Sequence, residues 1–171
     1  MGGDVVIPDD EGILYAGPYA FSLYTTDYSI KIEEDDYDAA KTPDTNNSVK
    51  SVTIPGDVKE VQKFAFYKCT ALESVKFLKN SEGDSCPLIR EYAFAFDENL
   101  TTINLDDVGI IGASAFEGCK KLDNIDISYT FAIGARAFKD CKNLKYVDIT
   151  ALRNAGFETF AGCTSLTTID N

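Results

Sequence analysis

Three aspartates stand 22 residues apart near the end of this 171-residue chain: Asp126, Asp148 and Asp170. Each follows an apolar residue in a short β-like triplet. Successive side chains of a strand point to opposite faces, so the three carboxylates are expected to share one outward column. Carboxylates about 5 Å apart repel by roughly 0.8 kcal/mol per pair in water. Like charges side by side on a sheet are a stability cost, which a basic protein segment or a divalent cation would offset. Asp106, Asn124 and Tyr146 fall in the adjacent outward columns, with Tyr146 suited to be an amphipathic anchor. These six residues are the candidate ligand-binding set. The plainer reading is a solvated acidic surface on a chain of net charge −12, since net charge aids solubility.

Other chemistry is scarce. The chain has no histidine, so it cannot build a histidine-dependent triad or the usual zinc sites. The acidic run from Glu33 to Asp38 lacks the spacing and the glycine of a calcium loop. The glycines at 17, 112, 134 and 156 are not followed by the lysine of a phosphate loop. They suit a positive-φ turn or a close approach between chain segments. Five cysteines show neither paired disulfide spacing nor zinc-type clusters. They read as small buried thiols, although a bridge such as Cys119–Cys141 is geometrically conceivable. No catalytic residue, metal or cofactor is implied. The negative charge argues against nucleic acid and anionic membrane surfaces, and no apolar run reaches the roughly 18 residues of a membrane span.

The elements that would position such a column come from self-similarity along the chain. An Ala-Phe pair, a cysteine three residues later and a leucine three further on recur at Ala65-Phe66, Ala115-Phe116 and Ala137-Phe138. Phe160 follows the pattern with Thr159 before it, and Ala93-Phe94 follows it with Asp97 at the cysteine position. The phenylalanines are 28, 22, 22 and 22 residues apart. After each leucine comes an apolar-x-apolar triplet, predicting strands at 75–77, 103–105, 125–127, 147–149 and 169–170, and by projection at 5–7, 30–32 and 52–54. All are expected in one parallel sheet, with Lys31, Thr53, Lys76 and Asn104 continuing the outward column. Residues 33–48 form a degenerate second coil, and an insertion falls near Asn80–Ser85.

A single coil of this size cannot stand alone. About seven buried side chains offer up to about 20 kcal/mol, while fixing about 22 residues costs roughly 1–2 kcal/mol each in backbone entropy. Stability must come from stacking between coils.

The run Val52-Thr53-Ile54-Pro55, Val58, Val61, Ala65-Phe66, Cys69, Leu72 and Val75 resembles the BspA-like leucine-rich repeat, and the resemblance covers nearly the whole chain. Gln62 and Arg90 at the glycine position, Asp97 at the cysteine and Ala155 at an isoleucine depart from it. It implies an α/β fold: a right-handed leucine-rich-repeat solenoid over residues 1–171, about seven coils, with a parallel sheet on the concave face and short helical or 3-10 turns opposite. It also implies an extracellular or cell-surface protein, binding a host or cell-surface protein or glycan without catalysis. The alternative is a spacer that presents another domain. The start Met1-Gly2-Gly3-Asp4 lacks a signal peptide's basic head and apolar run, so the chain is expected to begin downstream of a removed signal. Ile169 closes no further coil, predicting an apolar edge at which the protein continues or meets another copy.

Overall fold

The computed structural model describes residues 4–6, 15–16, 49–56, 58–79 and 87–171, with backbone alone for the first two stretches. Its strands, in chain order, are β1 (Asp4–Val6), β2 (Tyr15–Ala16), β3 (Ser51–Ile54), β4 (Glu60–Val61), β5 (Ser74–Phe77), β6 (Leu88–Ile89) and β7 (Thr102–Ile103). They continue with β8 (Ile110–Ile111), β9 (Asn124–Asp126), β10 (Ala132–Ile133), β11 (Tyr146–Asp148), β12 (Asn154–Ala155) and β13 (Thr168–Asp170). Odd-numbered strands stack on one side as β1-β3-β5-β7 and β9-β11-β13, and even-numbered ones form a six-stranded ladder on another. Every pairing is parallel. The chain is a parallel solenoid, as the 22-residue spacing requires.

The core is built from the repeated columns. Phe66, Phe94, Phe116 and Phe138 are fully buried, and their rings stack with centroids 4.8 to 5.2 Å apart. Phe160 extends the stack at 5.6 Å. Each such pair adds about 0.5–1.5 kcal/mol beyond the area it buries. Leu72, Leu100, Leu122 and Leu144 lie beside them, also fully buried. Gly134 shows why its column carries no side chain: a Cβ there would lie 2.4 Å from the Ala113 nitrogen. Close approach of coils, and not a positive φ, is the task of this glycine.

Two expectations need correction. The triplets form two sheets on their face, not one, with the break between β7 and β9. Val5 pairs directly with Val52; the expected strand at 30–32 and the degenerate coil lie outside the described residues. The Ala-Phe segments are neither helical nor 3-10. Among the described residues there is no helix.

Those segments are instead three overlapping hydrogen-bonded turns. The Ala65 N–H donates to the Gln62 carbonyl, Tyr67 to Phe64 and Cys69 to Phe66. Phe64 and Lys68 take the left-handed conformation, with φ of 59° and 57°, which type II turns require at their third residue. The intervening N–H groups point away and bond the next coil: Phe64 to Glu91, Phe66 to Ala93 and Lys68 to Ala95. The pattern repeats at Tyr92 and Phe96, Ser114 and Gly118, Arg136 and Asp140, and Glu158 and Gly162. A helix would turn its N–H groups inward along its own axis. Alternating turns keep half of them for stacking, so buried peptide groups are paired. A left-handed residue costs roughly 1–2 kcal/mol, offset by this third ladder between coils.

Candidate functional site

The acidic column is assembled by β9, β11 and β13. Their registers place Asn124, Tyr146 and Thr168 in one row, and Asp126, Asp148 and Asp170 in a second. The apolar residues between the rows, Ile125 and Val147, are buried, so the pleat sends both rows outward. Asn124, Asp126, Tyr146 and Asp170 are exposed and Asp148 is half-buried. Asp106 lies apart, half-buried in the turn after β7, beyond the break that separates β7 from β9.

Two of the carboxylates have local work. The Asp126 Oδ1 accepts from the Ser128 N–H at 3.0 Å and its hydroxyl at 2.6 Å. Asp148 Oδ1 accepts in the same way from Thr150, at 2.9 and 2.6 Å. These bonds close the chain's turn out of the sheet. The Thr150 hydroxyl and N–H hold the Asp148 carboxyl below its ordinary range, so it stays charged. Across the rows, Tyr146 donates its hydroxyl to Asp170 Oδ2 at 3.0 Å, which raises the Tyr146 phenol above its usual value.

The rows do not make a cation cage. Among the described residues, no group of three His, Cys, Asp or Glu side chains is arranged to hold a metal ion. The turn bonds use the Oδ1 of Asp126 and of Asp148 and not the Oδ2, and Tyr146 stands in the neighbouring outward row. That arrangement can accept hydrogen bonds from a cationic group and offer it an aromatic edge. Sequence reasoning missed Thr168 and the turn bonds; the signal for the latter was a hydroxyl residue two positions after each aspartate.

Asn104, expected to face outward in the same column, is instead half-buried. Its amide bonds backward, accepting from the Phe77 N–H at 2.7 Å and donating to the Phe77 carbonyl at 3.0 Å.

Three members of the cysteine column, Cys69, Cys119 and Cys141, are buried, and Cys163 is half-buried. Cys69, Cys119, Cys141 and Cys163 are free thiols, and Cys86 lies outside the described residues. The Sγ–H of Cys119 donates to the Phe94 carbonyl of the preceding coil at 3.1 Å, that of Cys141 to Phe116 at 3.2 Å, and that of Cys163 to Phe138 at 3.1 Å. Burial pushes the thiols up, Cys163 to about 11.

A parallel stack of coils with an open polar sheet face defines a solenoid repeat protein. Residues 87–171 match the BspA type leucine rich repeat region in six copies, and this array belongs to that family. Leucine-rich-repeat arrays of this type are generally non-catalytic. A leucine-rich repeat protein of T. pallidum has a similar structure, with a TM-score of 0.75 at 23% identity over 99% of this chain and 70% of that one. The pneumococcal vaccine antigen PcpA follows at 0.66 and 23%, covering 98% of this chain and 39% of its own. A leucine rich cell surface protein from Faecalibacterium prausnitzii gives 0.54 and 23%, covering 97% and 46%. The chain therefore spans less than half of the last two. At these identities the likeness is one of fold. No curated protein matches the sequence.

Proposed function

We propose that this chain is a non-enzymatic binding module of a bacterial cell-surface protein, and that the face of β9, β11 and β13 docks a basic segment of a host or surface protein. The observation that carries the reading is the pair of registered rows, which sets charged acceptors and an exposed aromatic ring on a rigid sheet. The net charge of −12 favours cationic partners by steering. Relatives in fold support the location: one is described as a cell surface protein and another as a vaccine antigen.

The test is binding of the purified chain to a lysine-rich peptide and to a neutral peptide of equal length. The double variant Asp126→Asn, Asp148→Asn keeps the Oδ1 acceptors that close the turns while removing both charges. It is expected to bind the basic peptide about tenfold more weakly, with a shallower salt dependence. Unchanged binding would overturn the site. A spacer is the second reading, favoured because Asp126 and Asp148 already serve their own turns; it predicts no binding by either form.

A further inference from the structure

The thiol column has one member that is not a thiol. In the joints between later coils, each thiol receives the N–H of the column residue before it, Cys119 from Asp97, Cys141 from Cys119 and Cys163 from Cys141. Each also donates its own Sγ–H to a phenylalanine carbonyl of the preceding coil. A neutral group able both to accept and to donate is what the slot holds. Asp97 occupies the same slot, fully buried, and its Oδ1 takes the Cys69 N–H at 2.7 Å. Its Oδ2 is sealed from water without a hydrogen-bond partner. No ion pair involving Asp97 is present among the described residues; the titratable groups whose field it shares are the Cys69 thiol of the preceding coil and the Cys119 thiol of the following one.

A carboxylate in such a place would keep one N–H bond and no counter-charge, which costs far more than burying the neutral acid. We propose that Asp97 is carried as the neutral acid, and that its proton locks the coil of residues 87–105 onto the coil before it. Loss of the proton to solvent leaves a charge that can be hydrated only if this joint opens. Burial raises the Asp97 carboxyl well above its ordinary range. The locked form therefore holds a proton that the opened form releases. Stability of the joint is complete below the ordinary aspartate range and is lost as pH rises through the raised value, opposite to the common carboxylate case.

Hydrogen exchange of the full chain between about pH 5 and 8 tests this, with each amide referred to its own unstructured rate at each pH. The N–H groups of Phe64, Phe66 and Lys68 bond across the Asp97 joint, and those of Arg136, Phe138 and Asp140 across a thiol joint. Protection of the first set is expected to fall with rising pH, by at most about tenfold per unit because one proton is released. The second set is expected to hold. Asp97→Asn imitates the neutral acid and should flatten the pH response of the first set. An equal response at both joints, or one that survives in Asp97→Asn, would overturn the proposal. If Asp97→Asn does not fold, the native chain still decides: an infrared carbonyl band of a buried protonated carboxyl at neutral pH supports the lock, and its absence rejects it.

Discussion

Two joints of the same solenoid are held together differently. Between the coils of Phe116 and Phe138, the stack relies mainly on backbone ladders, ring stacking and the Cys141 thiol bonded to the Phe116 carbonyl, with one buried side-chain bond from the Thr130 hydroxyl to the Val108 carbonyl and the exposed Lys145–Asp123 pair. Between the coils of Phe66 and Phe94, several more polar side chains stitch one coil to the other. Asp97 takes the Cys69 N–H, Asn99 donates to the Thr70 carbonyl, Thr101 to the Glu73 carbonyl, and Asn104 bonds the Phe77 backbone twice. The Arg90–Glu60 ion pair adds a further link. This stitched joint is also where the repeat lengthens from 22 to 28 residues. A uniform repeat can leave stacking to apolar columns in register. Where the spacing departs from uniform, side-chain hydrogen bonds hold the register.

The largest effect should come from what the two joints share. Phe94 and Phe138 are both fully buried and stacked on each side. Phe94→Ala and Phe138→Ala should each cost about 3–5 kcal/mol in urea unfolding. Similar losses would place the difference between the joints in their polar groups alone. A much smaller loss at Phe94 would mean that the stitches, and not the rings, carry the longer joint.

Next comes the glycine column, where the joints diverge. Gly134→Ala places a Cβ against the backbone of the neighbouring coil, and should cost about 1–3 kcal/mol by forced separation. At the corresponding positions of the stitched region stand Gln62 and Arg90, whose side chains both reach Glu60. Arg90→Gly should therefore lose the half-exposed ion pair and little else, about 1 kcal/mol or less once solvent screening is allowed for. Equal melting temperatures for Gly134→Ala and the native chain would remove the close-approach argument.

Asn104→Ala follows, at about 1–3 kcal/mol, because it leaves the Phe77 N–H and carbonyl without their partner. Asn99→Ala, which removes a single donor to Thr70, should cost less. Urea midpoints that rank the two in the opposite order would break the stitched-joint account.

How much of this could be read beforehand follows from which forces act. The Phe, Cys and Leu columns were legible because burial selects residue type, and a 22-residue period repeats that selection. The outward rows were legible as well, since the period of two fixes direction for Asn124, Asp126, Tyr146 and Asp148. Direction does not fix reach: Asn104 shares their column, yet its amide turns back to Phe77. The turns were misread because left-handed Phe64, Tyr92 and Phe96 run against single-residue preference. Bonds to the next coil decide those conformations, and they involve residues more than 20 positions away. The even-numbered ladder was missed for a related reason, since its two-residue strands are too short to show alternation.

The smallest expected effect concerns the thiols, and it bears on both joints at once. A thiol reacts as its thiolate and only where reagent can reach it. Cys69, Cys119 and Cys141 are fully buried, and burial raises all three above the ordinary thiol value. Cys163 is half-buried in the final coil, beneath an edge where Phe157 and Ile169 remain 65% and 51% exposed. Its thiol sits at about 11, so near neutral pH only a small fraction is thiolate, and that fraction rises about tenfold per pH unit. Among these four, labelling of the native chain should reach Cys163 first, slowly, and faster as pH rises. Cys119 and Cys141 should follow only on unfolding, since no local opening of their joint is linked to a proton. Cys69 is the informative member. If the Asp97 joint loosens with pH, Cys69 should become labelled at alkaline pH before Cys119 and Cys141 do, and Asp97→Asn should return it to their rate. Mass spectrometry after timed labelling resolves the order, and a Cys69 that keeps pace with Cys141 at every pH would show the two joints to be equally closed.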